Sequence, residues 1–270
     1  MNTLLYKYDV LIEGGKLIYR PSKNVKSPYM ADIIIEDQES LAHCPALGIS
    51  GLLNNSSVFL CSKNEDSKRK SKYTIELVYL PSTKNITVLT NTNPHFGNRI
   101  FKSIIDNNLI PEYVDYKEFR AEKKYKSSRF DFYIKKHDNK EEFIEIKSVL
   151  LCNFNKNDYP DYIKNPEITS NGKGAIFPDG FRKNKNVPIS ERAIKHLETL
   201  EDCKLNNYDA SLYFIIQRND CDYFKPSDVD QFYSEAIKKA KKNNVNIKAI
   251  SVEWTAIGEC RFVKFLDCII

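Results

Sequence analysis

Between residues 6 and 80 the apolar positions come in short runs separated by turn residues. Residues 6–13 alternate, with Tyr6, Tyr8, Val10 and Ile12 on one face, and Gly14-Gly15 marks a turn. Residues 16–20, 30–35, 57–61 and 72–80 read as further strands. Several short strands at this spacing predict a small barrel or sandwich. After Pro81-Ser82 the period changes. Residues 86–90 read as a strand, and across 98–107 Ile100, Phe101, Ile104 and Ile105 recur at helical spacing. Residues 128–135 and 142–151 read as two strands. Residues 153–187, rich in Asn, Lys, Asp, Pro and Gly, are expected to form a long loop. A helix is predicted from Ser190, which suits an N-cap, to about residue 202, with Ile194, Leu197 and Leu200 on one face. Residues 210–218 read as a buried strand. Ser227 is the expected cap of another helix, with Val229, Phe232, Ala236, Ile237 and Ala240 inward, and 247–254 is a last strand. Strands alternating with helices predict an α/β domain. The expected division is an all-β unit over 1–82, an α/β unit over 83–255 and a C-terminal extension over 256–270.

Composition narrows the picture only a little. A length of 270 residues suits one large domain or two small ones, and 41% apolar residues supply a core, which excludes wholesale disorder. The 41 basic and 36 acidic residues leave a surplus too small to identify a polyanion binder. Distribution says more. Basic runs occur at Lys68-Arg69-Lys70 and over 123–129, 182–185 and 238–242. Each alone reads as a solvated face; a fold that gathers them makes a phosphate-binding surface. The seven cysteines are odd in number and lack CxxC spacing, so neither a disulfide framework nor a structural zinc is expected. The start shows no signal pattern, and no apolar run reaches membrane-spanning length. Reduced thiols, a cytoplasmic or other intracellular location and no membrane partner are therefore expected.

The chemistry concentrates in one strand pair. Ser128-Arg129-Phe130-Asp131-Phe132-Tyr133-Ile134 leads to a turn at His137-Asp138-Asn139-Lys140. Glu142-Phe143-Ile144-Glu145-Ile146-Lys147-Ser148-Val149 follows. Alternation puts Phe130, Phe132 and Ile134 on one face and Asp131 on the other. On the return strand Ile144 and Ile146 share a face, with Glu145 and Lys147 opposite. A hairpin centred at Asp138-Asn139 sets Asp131 nearly across from Glu145, and directly opposed side chains have Cβ atoms about 4.5–5.5 Å apart. Two carboxylates that close repel when both are ionised. A divalent cation relieves the repulsion, and Mg²⁺ favours one or two carboxylates with waters and phosphates. Lys147, on the same face as Glu145, is placed to steady charge developing on a phosphate. An ordinary surface hairpin gives the same letters, because D…ExK is cheap in a chain with 29% charged residues. The apolar neighbours Phe130, Phe132, Phe143, Ile144, Ile146 and Val149 weigh towards a site, since charges embedded there are costly unless paired or metal-bound.

Beyond the hairpin, further short motifs keep a fixed order: Phe177-Pro178-Asp179, Glu191-Arg192-Ala193-Ile194-Lys195-His196-Leu197 and Phe214-Ile215-Ile216-Gln217-Arg218. Upstream stand His43-Cys44-Pro45 with Gly48, and Tyr73-Thr74-Ile75-Glu76-Leu77-Val78. The series resembles the sugar fermentation stimulation protein family over roughly residues 6–254. That resemblance implies an N-terminal OB-like barrel and a C-terminal α/β domain of the restriction-endonuclease-like PD-(D/E)xK type. It also implies DNA binding and a nuclease activity with Mg²⁺ or Mn²⁺. On the family's pattern Asp131 and Glu145 hold the metal and Lys147 is the catalytic lysine. Glu122 resembles the acid that precedes the family's SRxDF motif, and is either a further ligand or a solvated acid beside Lys123 and Lys124. Arg129, Lys124, Arg192 and Lys195 are the expected nucleic-acid contacts. Lys195 lies on the helix where related nucleases carry a polar residue facing the site. The chain departs from the family in reading Ala46-Leu47-Gly48-Ile49-Ser50 after Pro45, in Ala193 where a glycine is usual, in the longer 153–187 segment and in its tail after Trp254.

The expected function is therefore nucleic-acid binding, DNA before RNA, with a metal-dependent phosphodiesterase site. The alternative is a non-cleaving DNA-binding regulator of the same fold, associated with sugar metabolism; a small-molecule enzyme or an adaptor is a more distant third. A homodimer stays open. Among the remaining candidates, His43 beside Cys44 lacks a second ligand pair, so packing or a turn is expected there. His196 reads as a helix-face residue with a phosphate contact open. Gly172-Lys173-Gly174 is too short for a phosphate loop. Tyr6, Tyr19 and Tyr29 suit base stacking if the barrel binds single strands, and packing otherwise.

Overall fold

The computed structural model describes residues 2–45, 53, 57–66, 68–80, 87–153, 172–178 and 186–270. In chain order β1 is Leu4–Lys7, β2 Ile12–Tyr19, β3 Met30–Ile35, β4 Gln38–His43, β5 Val58–Lys63, β6 Tyr73–Leu80 and β7 Val88–Asn91. Helix α1, Phe96–Asp106, is followed by β8 Glu118–Tyr125, β9 Ser128–Lys135, β10 Glu141–Val149 and β11 Gly174–Phe177. Then come α2 Glu191–Leu205, β12 Asp209–Ile216, β13 Tyr223–Pro226, α3 Gln231–Lys242, β14 Asn246–Trp254 and β15 Glu259–Cys268.

Strands β2 to β6 close on themselves. Their order is β4-β3-β2-β5-β6, and β4 pairs again with β6 through Ala42↔Tyr73 and His43↔Thr74. The result is a five-stranded OB-like barrel, as expected. Alternation makes it: Leu17, Ala31, Ile33, Ile35, Ala42, Phe59, Cys61 and Ile75 point inward and are buried. Between Ile35 and Gln38 the two turn residues Glu36 and Asp37 both have positive φ, 52° and 58°, the backbone of a two-residue hairpin turn.

The second sheet has nine strands in the order β11-β13-β15-β14-β12-β10-β9-β8, with β1 beside β15. Strands β10, β12 and β14 run parallel at its centre. Helix α1 covers one face, where the Phe101 ring lies 5.2 Å from Phe132 and 4.8 Å from Tyr213. Helices α2 and α3 cover the other with Leu197, Leu200, Ile237 and Ala240. Ser190 caps α2 as expected, its side chain accepting from Ala193 N at 3.2 Å.

Several expectations need correction. β7, expected to open the α/β unit, pairs with β6 in the barrel sheet. β1, expected in the barrel, pairs with β15 in the other sheet. Val10 is 74% exposed because it sits in the link between β1 and β2, outside either alternation. The tail expected as an extension contains β15, which lies inside the nine-stranded sheet between β13 and β14. β4, β8, β11 and β13 were not foreseen. Asp230, not Ser227, caps α3, accepting from Tyr233 N at 3.2 Å; Val229 and Phe232 are consequently exposed and Tyr233 is buried. Residues 46–50, 81–86, 154–171 and 182–185, together with Asp179, lie outside the described residues. They include the departing stretch after Pro45, most of the expected loop and one basic run.

All seven cysteines are free. No helix among the described residues is long and apolar enough to cross a membrane.

Candidate functional site

The β9–β10 hairpin folds in the expected register. Its turn closes with Lys136 N to Lys140 O at 2.9 Å and Asn139 N to Lys136 O at 3.0 Å. Pairing runs from Glu141↔Lys135 to Ile144↔Phe132, so the next step along both strands sets Asp131 beside Glu145. At that step the ladder changes character. Asp131 Oδ2 accepts from Ile146 N at 2.8 Å, and its Oδ1 accepts from Asn98 Nδ2 on α1 at 2.7 Å. On the other side, β8–β9 partners pass from Ala121↔Phe132 to Lys123↔Phe130, and the residue skipped, Glu122, has φ 57°.

This break also changes which way the apolar side chains face. Phe132 and Ile134 pack on the α1 side, as alternation requires. Phe130, expected beside them, packs on the α2 side, its ring 5.4 Å from Phe143 and 6.2 Å from Tyr125. Alternation slips at Asp131, and the slip is what frees its carboxylate to reach α1.

Glu145 is buried at 3% exposure. Its Oε1 takes Lys147 Nζ at 2.5 Å and His196 Nδ1 of α2. Arg192 Nε, one turn earlier on α2, donates to His196 Nε2 at 3.4 Å. A guanidinium nitrogen can only donate, so in this contact Nε2 accepts and Nδ1 is the nitrogen that turns its N–H to Glu145. Lys147 Nζ, 3.3 Å from Nδ1, then faces a second donor; both N–H groups converge on Glu145. Helix α2 is held over the hairpin by Tyr125 OH to Asp202 Oδ2 at 2.9 Å, by Lys126 Nζ to the same oxygen at 2.5 Å, and by Ser128 against Thr199 at 3.3 Å.

The two carboxylates are driven apart in acidity. Burial and then the charge of Glu145 raise Asp131 above the usual aspartate range, against its bonds from Ile146 and Asn98 and the charge of Lys147. Burial also pushes Glu145 upward, but the His196 hydrogen bond and the Lys147 charge outweigh it, and Glu145 lies below the usual glutamate range. Neighbouring acids separated in this way are a signature of functional sites.

The expected residues thus divide. Glu145 and Lys147 pair directly, Asp131 faces Glu145 across the hairpin within reach of both charges, and Arg192 joins them through His196. Glu122 and Arg129 are exposed and pair with each other at 3.4 Å, so each neutralises the other on the solvent side. Lys124 and Lys195 are exposed. On α2 it is His196, not its neighbour Lys195, that reaches the carboxylate. Asn98 and His196 are the residues that sequence reasoning missed as members of the cluster. The Lys173 ammonium between its two glycines is buried against Asp220 at 2.5 Å, which makes it structural. Among the described residues no three of His, Cys, Asp and Glu are grouped as a ready metal site. The donor set is two carboxylates, which fits a hard cation that completes its shell with water and phosphate.

Comparison with known proteins places this geometry. The family model described as "Sugar fermentation stimulation protein RE domain" matches residues 95–165 and 163–258. A sugar fermentation stimulation protein homolog of Pelagibacter ubique is 34% identical over 238 residues, covering 87% of each chain. Its counterpart in Clostridium beijerinckii is 30% identical over 248 residues, covering 90% of this chain and 91% of the relative. Among solved structures, that of Pyrococcus furiosus SfsA in complex with Ca²⁺ superposes with a TM-score of 0.76 at 18% identity, covering 99% of this chain and all of the other. At that identity the match speaks for the fold.

Proposed function

The chain belongs to the sugar fermentation stimulation protein family, and from that premise we infer that it binds nucleic acid, DNA or RNA, and cleaves its phosphodiester backbone with a divalent cation at Asp131 and Glu145. The observation that carries this reading is the pair itself: two carboxylates at facing positions of the hairpin, each feeling charge at the site, with Lys147 on Glu145. The order α1, β8, β9, β10, β11, α2, β12 supports a PD-(D/E)xK assignment for the C-terminal sheet, with Asp131 on one strand and Glu145-Ile146-Lys147 on the next.

Asp131 and Glu145 would hold Mg²⁺ or Mn²⁺, which supplies Lewis-acid polarisation of a phosphoryl oxygen when bound. Ca²⁺ in the Pyrococcus furiosus relative is consistent with a hard cation at such a site. The remaining work falls to this chain's own groups. Asn98 and Ile146 N fix both oxygens of Asp131. His196, steadied by Arg192, aims Glu145 through Nδ1–H. Lys147 carries positive charge into the site, where a phosphate that gains charge in the transition state is stabilised more than one in the ground state.

A second reading is a DNA-binding regulator that does not cut. What favours it is that Lys147 pairs directly with Glu145, and the family's name points to sugar metabolism. Incubation with single- and double-stranded DNA and RNA, with Mg²⁺ or Mn²⁺, separates the two. Cleavage by the wild type that is absent in Asp131→Asn and Lys147→Ala is the expected result. Salt-sensitive binding without cleavage moves the conclusion to the regulator, and neither binding nor cleavage removes both.

A further inference from the structure

The Lys68-Arg69-Lys70 run and the Tyr29 and His43 rings lie outside this site, and the barrel gathers them at one end. Tyr29 precedes β3, and its carbonyl accepts from Cys44 N at 2.8 Å, next to the Met30↔His43 pair. The Tyr29 and His43 rings consequently lie side by side, with centroids 6.4 Å apart and planes 32° from parallel. Tyr29 is 41% exposed. Arg20 reaches under the same corner, with Nε to Pro28 O at 3.1 Å and a terminal nitrogen to Cys44 O at 3.4 Å. Arg69, from the Lys68-Arg69-Lys70 run, lies close enough to act electrostatically on His43, and Arg20 does the same. Its loop is fixed by Asp66, which accepts from Lys68 N at 2.9 Å, and by Lys72 N to Leu41 O at 3.0 Å.

We propose that this end of the barrel is a docking surface for single-stranded nucleic acid. An unpaired base stacks on the Tyr29–His43 ring pair, and the exposed Lys68-Arg69-Lys70 run meets the adjoining phosphates, while Arg20, bonded to Pro28 O and Cys44 O, holds the corner in place. The proposal rests on the nucleic-acid reading of the Asp131 site and specifies its substrate as an unpaired strand. Three observations select this surface over the other candidate rings. Tyr6 packs among Tyr8, Phe96 and Trp254 at centroid distances of 5.1, 4.8 and 6.2 Å, which leaves no face for a base. The Tyr19 ring is already covered by Lys23 Nζ at 3.4 Å. Most acids of the region are turned elsewhere or set apart. Asp32 accepts from Ser22 Oγ and Lys23 N, and Glu36, Asp37 and Glu39 stand at the opposite end of β3 and β4; Glu65 and Asp66 do adjoin the basic run, where Asp66 accepts from Lys68 N. Burial, then the Arg69 and Arg20 charges, hold His43 below its usual value. At neutral pH it is therefore an uncharged ring, suited to stacking. Every base has a π-face, so such a surface tolerates sequence but requires that the base be out of a duplex.

The test uses the full chain, with EDTA present so that no strand is cut. A labelled oligothymidine strand, and the same strand annealed to oligoadenine, are titrated and followed by anisotropy. Wild type should prefer the single strand. Tyr29→Ala and Arg69→Gln should each weaken single-strand binding about fivefold or more, since stacking contributes ~1–3 kcal/mol per base. Tyr29→Phe, which keeps the ring, should bind as wild type does. Equal affinity for strand and duplex, no binding to either, or an unchanged Tyr29→Ala overturns the proposal. Failure of the cleavage site would show separately, as catalysis indifferent to Asp131→Asn.

Discussion

Asp131 Oδ2 accepts the amide proton of Ile146 at 2.8 Å, so a side chain on β9 occupies a position that a backbone carbonyl fills in an unbroken ladder. The break is local. Pairing is regular up to Ile144↔Phe132, and β8 bends away where Glu122 turns to positive φ. An acid that is hydrogen-bonded to backbone has little freedom left, so the crowding with Glu145 cannot be relieved by rotation. It is relieved by added positive charge.

A divalent cation should therefore stabilise the fold. Metal removal with EDTA lowers Tm, and Mg²⁺, Mn²⁺ or Ca²⁺ restores it; at a hundred times Kd the gain is about 2.7 kcal/mol. Asp131→Asn removes one of the two charges and should lose most of the response in a thermal melt. Equal shifts in wild type and variant would place the cation elsewhere.

His196 holds Glu145 through an N–H on Nδ1. An asparagine at this position offers a similar N–H, whereas a leucine offers none. His196→Leu should cost roughly 1.5–3 kcal/mol in urea unfolding, the usual range for one hydrogen bond to a charged group, and should reduce cleavage with it. His196→Asn should recover most of both. If asparagine and leucine behave alike, the hydrogen bond is not what the histidine supplies.

The legibility of this molecule follows the kind of physical signal each part carries. The hairpin could be read because strict alternation and a polar turn fix a register, and register alone brings Asp131 to Glu145. The resemblance added the barrel and the order of motifs. Strand β8, Glu-Phe-Arg-Ala-Glu-Lys-Lys-Tyr, is an exposed edge, and its charges conceal it from any search for apolar periodicity. Strand β15 was concealed for another reason: Arg261, Lys264 and Asp267 interrupt its apolar positions, and its place is set by a partner, β1, from the other end of the chain. His196 could not be placed from sequence, because its approach to Glu145 depends on how α2 crosses the sheet, which Tyr125, Lys126 and Ser128 determine.

Away from the site, Asp220 is fully buried between Arg218, at 2.6 and 2.8 Å, and Lys173 at 2.5 Å. Burial alone would raise its pKa, but the Arg218 bonds and charge and the Lys173 charge outweigh it and lower it to about 2. The folded state then binds the proton more weakly than the unfolded chain, whose aspartates titrate near ~3.9. Stability from this group is complete above that pH and is lost as pH falls towards 2, a change of roughly 2 kcal/mol. Urea midpoints measured down that range should show the loss in wild type and not in Asp220→Ala. The variant should itself be about 3–5 kcal/mol less stable at neutral pH, because it leaves two buried cations without their anion.

The tail gives the sharpest test of the sheet. An extension dispensable to the fold could be removed at Thr255 with little change in Tm. In this structure the cut would remove β15, which pairs with β14 from Ala249↔Leu266 to Trp254↔Cys260, with β13 through Phe224↔Cys268, and with β1 through Lys7↔Glu259. It would expose the edge of β14 and uncover Val252 and Trp254, both buried. It would also leave β1 without a partner in its sheet, and with it Tyr6 and Tyr8, whose rings pack on Phe96 at the start of α1. Loss of a strand from inside a sheet is not repaired locally, since the edges it leaves are open to pairing between chains. A chain ending at residue 255 should be insoluble or unfolded by circular dichroism. A truncated protein that melts like wild type would show that β15 contributes nothing to the sheet.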